Sequence, residues 1–471
     1  MLGIHRLTSQ GAHYYLSDLA QELPLPQRWE PGPSAWVGRA AEGLGLEGDI
    51  EPAHLQALLL GLHPTSGHRL RSDRATVLGF DLTFSAPKSV SVVGALGGED
   101  TARQVLAAHR EGVRGAVTYV ESHALAAARG SGDRRQLVPT TGLVGASFTH
   151  GVSRNLDPHV HTHVVMANLV HGVDSRWSAC DHRGLWAHRR AAAAVYDAHV
   201  RAELTSRLGV RWSDRPGHRT EIKGVSPFVM GEFSSRGADI RRHMAEWGSH
   251  SSRGARVAWA ATRPEKPVGV SFVELSSEWE RRARAVGSSR SQISALLGQR
   301  EAATSRTWLD EHRFGAVLSL APDGAARRRD LVAAFSTAAV AGVDAPGVER
   351  LTELWVPANA TRGGIGVAEE IRSLRSVVPG AHLFDALGPR PVDPAAHEVW
   401  CEAAKAIDGY RSRWGVADEV AVPGGAGVRS GASPLQTDRL IQHLRTSQQV
   451  EVARQRLGWR PPRPLELDRG R

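Results

Sequence analysis

The sequence predicts a fold that mixes β-strands with α-helices, and three stretches carry that prediction. In residues 157–167, histidines at every second position lead into an apolar run, which is the period of a strand. Residues 80–85 alternate apolar with polar side chains, as a half-buried strand does. Residues 101–129 are rich in alanine and space their valines along one face, which predicts a long packing helix.

The N-terminal region is predicted to contain a short strand over residues 2–7, a helix over 8–21 and a second helix over 52–62. Tyr14 and Tyr15 are adjacent near the start of the first of these helices. A phenol in that place can pack against the preceding strand or can serve as a nucleophile. Position alone leaves both roles open.

The strand over residues 80–85 carries Asp81 on its polar face. Pro87 ends the strand, Lys88 is predicted in the turn that follows, and Ser89 is predicted to cap the next helix. A cation beside a helix N-terminus suits a phosphate group. The alternative for Lys88 is an ordinary solvated turn residue.

The histidine strand predicts a metal site. His159 and His163 would lie about 13 Å apart at 3.3 Å per residue, too far for one ion with bonds of about 2.1 Å. At most two of His159, His161 and His163 can therefore share an ion. Residues 138–149 predict a preceding pair of strands, and a hairpin would bring His150 beside the histidine strand as a third ligand. The alternative is a polar strand edge with solvated histidines.

The composition indicates a soluble globular protein. Its 471 residues and 41% hydrophobic content suffice for two or three domains. No run approaches the roughly 18 apolar residues of a membrane span, and the N-terminus lacks the apolar core of a secretory signal. We therefore expect a cytoplasmic protein without membrane insertion. Cys180 and Cys401 lie far apart in sequence, which argues against disulfides and thiolate metal sites.

The charge indicates a polyanionic partner. The net charge is +9, the isoelectric point is near 10.2, and arginine supplies nearly all of the basic residues. Arginine pairs well with phosphate. A GC-rich genome would also favour arginine and alanine, so composition alone does not establish nucleic-acid binding.

The motifs resemble the MobF class of conjugative relaxases, within the HUH endonuclease superfamily. The resemblance covers roughly residues 1 to 300 and depends on the order of several motifs. These are Tyr14-Tyr15, the block from Phe80 to Ser91, His150 with Ser153-Arg154, Asp157-Pro158, and His161-Thr162-His163. It implies an α+β fold, with a five-stranded antiparallel sheet, flanking helices, a helical lid and a mostly helical C-terminal region.

The resemblance also assigns site residues. It implies the metal ligands His150, His161 and His163, the nucleophile Tyr14 or Tyr15, a neighbouring Asp81, and the DNA contacts Lys88 and Arg154. His159 is left outside the ligand set. Asp81 could orient a histidine or accept the phenol proton, and the sequence leaves both open. The implied ion is Mg²⁺ or Mn²⁺, although three imidazoles also suit Zn²⁺ or Ni²⁺.

The resemblance divides the chain into a relaxase domain over 1–300, a helical region over 301–390 and a small helical module with a basic tail over 391–471. Within the first, residues 1–195 form the catalytic palm and 196–300 the lid. Candidate DNA backbone contacts in the lid are Arg236, Arg241, Arg242 and Arg263, for each of which a solvated helix face is the alternative.

The function implied is a site- and strand-specific single-stranded DNA endonuclease and strand transferase. It would nick a plasmid origin of transfer through a covalent 5′-phosphotyrosine and so start conjugation. The alternatives are a rolling-circle replication initiator with the same chemistry and a non-catalytic origin-binding protein.

Two departures from the family pattern bear on partners. No tyrosine lies between Tyr15 and Tyr119, so the second tyrosine pair of many members is missing, and no GxxxxGK[ST] loop of a helicase occurs. The expected partners are single-stranded and hairpin DNA of the origin, a coupling protein, the secretion machinery and a separate helicase.

Overall fold

The computed structural model describes residues 1–8, 34–72, 76–130, 135–213, 219–247, 272–299, 310–318 and 327–360, with scattered helical positions between 398 and 456. Several predictions fall outside these ranges. They concern Tyr14 and Tyr15 with nearly all of their helix, Arg263, and the basic tail.

The chain divides into two compact units. One contains Met1–Arg300 and His312–Thr352, and the other contains Glu301–Glu311 and Glu353–Arg471. Residues 312–352 therefore pack with the predicted relaxase domain rather than apart from it.

The first unit is built on an antiparallel sheet. Its strands are β1 (Leu2–Leu7), β2 (Ser34–Val37), β3 (Gly79–Ser85), β6 (Thr140–Val152), β7 (Pro158–Gly172) and β8 (Trp177–Ser178), and a separate pair is formed by β4 (Ala127–Arg129) and β5 (Gln136–Val138). The strand order is β1-β3-β7-β6-β2, and β8 pairs with β7. The predicted α+β class and antiparallel sheet are confirmed. The resemblance implied five strands in this sheet, and the short strand β8 adds a sixth.

The described helices are α1 (Arg39–Glu42), α2 (Pro52–Leu59), α3 (Lys88–Leu96), α4 (Glu99–His123), α5 (Arg183–Leu208), α6 (Pro227–Glu232), α7 (Ser235–Glu246), α8 (Phe272–Ala285), α9 (Arg290–Ser294), α10 (Glu311–Leu318), α11 (Arg328–Ala338) and α12 (Ala345–Ala360). We call α6, α7 and α8 the lid helices. None of the described helices is both long and apolar enough to span a bilayer.

Successive residues of β7 point to opposite faces of the sheet and so build two cores. Val164 and Met166 join a large core with residues of α4 and α5. Val165 and Ala167 join a smaller core with leucines of α2. His161 and His163 have the parity of the second set, and they extend that face toward the start of the strand.

The apolar side chains of β3 behave as their alternation predicted. Phe80, Leu82 and Phe84 are completely buried in the large core. Gly142 and Gly145 lie at register shifts between β6 and β7, where glycine commonly marks an irregularity of the ladder.

Two boundaries differ from the prediction. The helix predicted over 101–129 ends at His123, because Ala127–Arg129 pairs with β5 and Ala127 bridges to Cys180. These long-range pairings override the helix preference of alanine. Helix α5 runs continuously from Arg183 to Leu208, so a palm–lid division after residue 195 would cut it.

Residues 328–338 pack against α5. The Arg201 guanidinium donates to the carbonyl oxygens of Ser336 (2.7 Å) and Ala339 (3.0 Å), and Arg190 pairs with Asp330 at 2.8 Å. Because Arg201 and Asp330 are buried, these contacts hold α11 firmly against α5.

Gly145 provides a test of the packing between β6 and β7. A Cβ at this position would lie 2.5 Å from the Val165 carbonyl oxygen and 2.9 Å from the Met166 Cα. We expect Gly145→Ala to lower the free energy of unfolding by about 1–3 kcal/mol, because neighbouring backbone must move. Urea unfolding would measure this. Gly231→Ala, where no atom lies within 4 Å of the added Cβ, is the control. Equal stabilities of the two variants would contradict the packing described.

Candidate metal centre

The three histidines predicted as ligands lie together on the β6–β7 hairpin. His150 is directly opposite His161, and His163 pairs with Phe148 two positions along. The ring centroids are 5.1 Å apart for His150 and His161, 5.2 Å for His161 and His163, and 5.6 Å for His150 and His163. Bonds of about 2.1 Å to one ion would place ring centroids roughly 4.5–5.5 Å apart. The spacing of the rings therefore fits a three-histidine ligand set.

The ring orientations are not those of an assembled site. The His150 and His161 rings are stacked at 26°, and His163 is nearly perpendicular to both. Among the described residues, no group of three or more His, Cys, Asp or Glu side chains already has metal-holding geometry. The backbone positions suit an ion, and rotation of the rings would be needed for their nitrogens to converge.

Hydrogen bonds fix which nitrogen of two histidines can bind an ion. The Nδ1 of His163 lies 3.0 Å from both carboxylate oxygens of Asp81, and the Nδ1 of His161 lies 2.9 Å from the carbonyl oxygen of His159. Both partners are acceptors, so each Nδ1 carries the proton and each Nε2 is left as the ligand atom. A partner of this kind also holds the ring in orientation.

Asp81 is buried at 2% exposure and is itself oriented by a hydroxyl. Thr83 Oγ1 donates to Asp81 Oδ2 at 3.1 Å. Of the two roles left open by the sequence, this geometry favours orientation of His163 by Asp81 over acceptance of a phenol proton.

Burial favours the neutral form of His159 and His161. Desolvation lowers the pKa of His161 to about 3, with a further contribution from His163. Desolvation also lowers the pKa of His159 well below its usual value. Neutral imidazole is the form that binds a metal ion. His159 stacks on His161, with centroids 4.6 Å apart, and orients it through the backbone carbonyl.

A polar network beneath the site was not predicted. Thr162 and Thr149 pair across β6 and β7, and their hydroxyl oxygens lie 2.8 Å apart. His109 of α4 contacts the Thr162 hydroxyl through Nε2 at 2.7 Å and the Tyr196 hydroxyl through Nδ1 at 2.8 Å. The network joins the two histidine strands from the opposite face of the sheet. The sequence could not predict this network, because a single histidine in a helix does not indicate which distant residues it contacts.

Lys88 and Ser89 are placed differently from the prediction. Lys88 is the first residue of α3 rather than a turn residue, and the N-cap is Pro87, so the prediction that Ser89 caps the helix is wrong. The Glu221 carboxylate accepts hydrogen bonds from Ser89 N (2.8 Å) and Ser89 Oγ (2.6 Å). A protein carboxylate therefore occupies the helix N-terminus at which a phosphate was expected.

Lys88 is partly buried, and its ammonium donates to the Pro158 carbonyl oxygen at 2.9 Å. Burial lowers its pKa. This contact ties α3 to the start of the histidine strand. The DNA contact expected of Lys88 stays a prediction, as does that of Arg154, which lies in the loop joining the two histidine strands.

Comparison with known proteins shows which family this chain resembles. The family model of the TrwC relaxase matches residues 8–286, more than half of the chain. The multifunctional conjugation protein TraI of Escherichia coli is 29% identical over 434 residues, which are 86% of this chain and 23% of TraI. TraI of strain K12 is 28% identical over 470 residues, 93% of this chain and 24% of TraI. The chain thus spans about a quarter of the length of these relatives.

Solved structures agree with the sequence comparison. A metal-bound structure of the conjugative relaxase TrwC in complex with oriT DNA has a TM-score of 0.56 and 27% identity, covering 62% of this chain and all of that one. TrwC complexed with a 27-mer DNA comprising the recognition hairpin and the cleavage site has a TM-score of 0.54 at the same identity and coverage. Family model, relatives and fold agree. The chain therefore belongs to the TrwC relaxase family.

Proposed function

We propose that this protein nicks and rejoins one strand of a plasmid origin of transfer and so starts conjugative DNA transfer. The observation that carries the proposal is the cluster of His150, His161 and His163, with Asp81 behind it, in a member of the TrwC relaxase family. The complexes of TrwC with oriT DNA support the substrate, and the conjugation protein TraI supports the process.

The three histidines would hold a divalent ion, for which we propose Mg²⁺ or Mn²⁺. Such an ion, when bound, withdraws charge from a non-bridging oxygen of the scissile phosphate and orients that phosphate for in-line displacement. Asp81 keeps the proton on His163 Nδ1, and the His159 carbonyl keeps the proton on His161 Nδ1. Both contacts leave Nε2 available. The metal-bound TrwC structure supports the presence of an ion.

Tyr14 or Tyr15 is the proposed nucleophile. The tyrosine hydroxyl would lose its proton, its oxygen would attack the phosphorus, and the bond from phosphorus to the 3′ oxygen would break. The freed 3′ oxygen would take up a proton and become a hydroxyl. The 5′ phosphate would remain attached to tyrosine. Because one ester replaces another, the free 3′ hydroxyl can reverse the step and rejoin the strand.

The geometry of β1 permits this role. Leu7 at the end of β1 pairs with Gly79, and Thr83 in the same strand as Gly79 pairs with His163. Four residues of strand separate Gly79 from Thr83, about 13 Å. The seven residues from Leu7 to Tyr14 would span roughly 10 Å as a helix and up to roughly 23 Å if extended, so this separation lies within the upper limit of the segment.

Other partners follow from the proposed process. Single-stranded and hairpin DNA of the origin would bind with help from Arg154, and a coupling protein with secretion machinery would receive the nicked strand. Duplex unwinding would come from a helicase outside these 471 residues, which contain no GxxxxGK[ST] loop.

The nucleophile can be identified by covalent capture. With Mn²⁺ and labelled single-stranded origin DNA, we expect a denaturant-resistant adduct with the unmodified protein and none with Tyr14→Phe, because phenylalanine lacks the attacking oxygen. Tyr15→Phe is the matched variant. An adduct lost only in Tyr15→Phe would move the nucleophile to Tyr15. If no origin-derived oligonucleotide gave an adduct with any form, the protein would bind DNA without cleaving it.

The ligand set can be tested with two histidines of the same strand. We expect His161→Ala to weaken Mn²⁺ binding by at least about 10-fold and to remove most nicking, since one ligand is lost. His159→Gln should retain both, because the hydrogen bond that orients His161 is accepted by the His159 backbone carbonyl, which the substitution keeps. Calorimetric titration with Mn²⁺ and a nicking assay would measure the effects. Equal losses in the two variants would refute the assignment.

The orienting role of Asp81 predicts a third effect. Asp81→Asn should weaken Mn²⁺ affinity by about 10–100-fold, because the amide is a poorer acceptor for His163 Nδ1. Asp100→Asn is the control, since Asp100 is exposed at the start of α4 and pairs only with Arg103 in the contacts described. Unchanged affinity in Asp81→Asn, measured by calorimetry, would exclude an orienting role.

A further inference from the structure

The loop of residues 153–157 joins the two strands that carry the histidines. At the base of the loop, Val152 pairs with Pro158. Val152 lies two residues after His150, and Pro158 lies three residues before His161. The loop is closed by its own backbone, since Ser153 N donates to the Asp157 carbonyl at 2.8 Å and Leu156 N donates to the Ser153 carbonyl at 2.9 Å. This loop therefore closes the hairpin at the end nearest the three histidines.

Leu156 holds this loop in an uncommon conformation. Its φ of 59° lies in the left-handed region, which costs energy for a residue with a branched side chain. The Leu156 carbonyl oxygen accepts a 2.7 Å hydrogen bond from Nε1 of Trp279, a buried residue of the lid helix α8. A lid contact thus supports the strained residue.

Asp157 is 1% exposed and accepts hydrogen bonds from two lid helices. Its Oδ2 accepts from the backbone N–H (2.9 Å) and hydroxyl (2.5 Å) of Ser235, the first residue of α7. Its Oδ1 accepts from the Arg282 guanidinium of α8 at 3.0 Å. The carboxylate also lies at a helix N-terminus, where negative charge is stabilised. Undocking of these helices would leave a buried carboxylate without these donors, which is strongly unfavourable.

Two further contacts tighten the same junction. Asn155 donates through Nδ2 to the Ser235 hydroxyl (3.1 Å) and to Asp239 Oδ2 (2.9 Å). Arg282 also donates to the Glu232 carboxylate (2.8 Å) and carbonyl (2.8 Å). Its guanidinium therefore links the end of α6 to Asp157 of the loop. All three lid helices therefore meet at the five-residue loop between the histidine strands.

We propose that the lid helices and the histidine site are energetically coupled through loop 153–157, with Asp157 as the positioning residue. Docked lid helices hold the loop, and the loop holds the two strands at the spacing that the ion requires. Coupling is reciprocal, so binding of the ion stabilises the docked helices to the same extent. The proposal depends on the proposed metal ligands.

Asp157→Asn tests the coupling, because it keeps the side-chain shape and removes the charge that Arg282 and Ser235 contact. We expect Mn²⁺ affinity to fall about fivefold or more in a calorimetric titration. Amide hydrogen exchange in α7 and α8 should become faster, and the slowing of that exchange by Mn²⁺ in the unmodified protein should be lost. Glu278→Gln is the control, since this exposed residue of α8 pairs with Arg281 away from the loop.

Faster exchange in α7 and α8 with Mn²⁺ affinity within twofold of the unmodified protein would overturn the proposal, and so would unchanged exchange. If Asp157→Asn fails to fold, Ser235→Ala decides by the same two measurements, because it removes only the hydroxyl's contacts with Asp157 and Asn155 and keeps the backbone donor. His161→Ala separates this proposal from the proposed function. If that variant binds Mn²⁺ normally, the ligand assignment fails; if it loses binding while Asp157→Asn does not, only the coupling fails.

Discussion

The antiparallel pairing of β6 with β7 is the constraint on which the rest of the site depends. It places His150 opposite His161 and puts His163 within reach of both, although they come from segments separated by a loop. The pairing is fixed from both sides. The Thr149–Thr162–His109 network contacts the strands from the large core, and Asp81 of β3 holds His163 on the other face. A shift of one residue would point the histidines into the large core.

Three buried or half-buried carboxylates at this end of the sheet are engaged by protein partners. Asp81 contacts His163 and Thr83, Glu221 contacts Ser89, and Asp157 contacts Ser235 and Arg282. Such groups are costly to leave unpaired, so each one ties two segments of the chain together. The result is a preorganised frame in which the strands are held firmly and hydrogen bonds orient the rings of His161 and His163, while convergence of all three rings on one ion needs further rotation.

Local pattern predicted much of this arrangement. Alternation in residues 80–85 and 157–167 predicts both strands, and the predicted hairpin places His150 beside His161, as the structure does. The failures all involve contacts distant in sequence. Ala127–Arg129 became a strand because of its partner, Ser89 gave up its capping role to Glu221, and neither His109 nor Asp157 revealed its buried partners. Periodicity reports which face is buried, and it carries no information about which distant donor meets a given acceptor.

We infer that three histidines on two strands of one hairpin, and not a fourth beside them, would hold the ion. Anomalous X-ray diffraction from crystals grown with Mn²⁺ would locate it. We expect one manganese peak about 2.1 Å from Nε2 of His150, His161 and His163, with His159 outside bonding distance. A peak bonded to His159, or one that lies away from this hairpin, would contradict it.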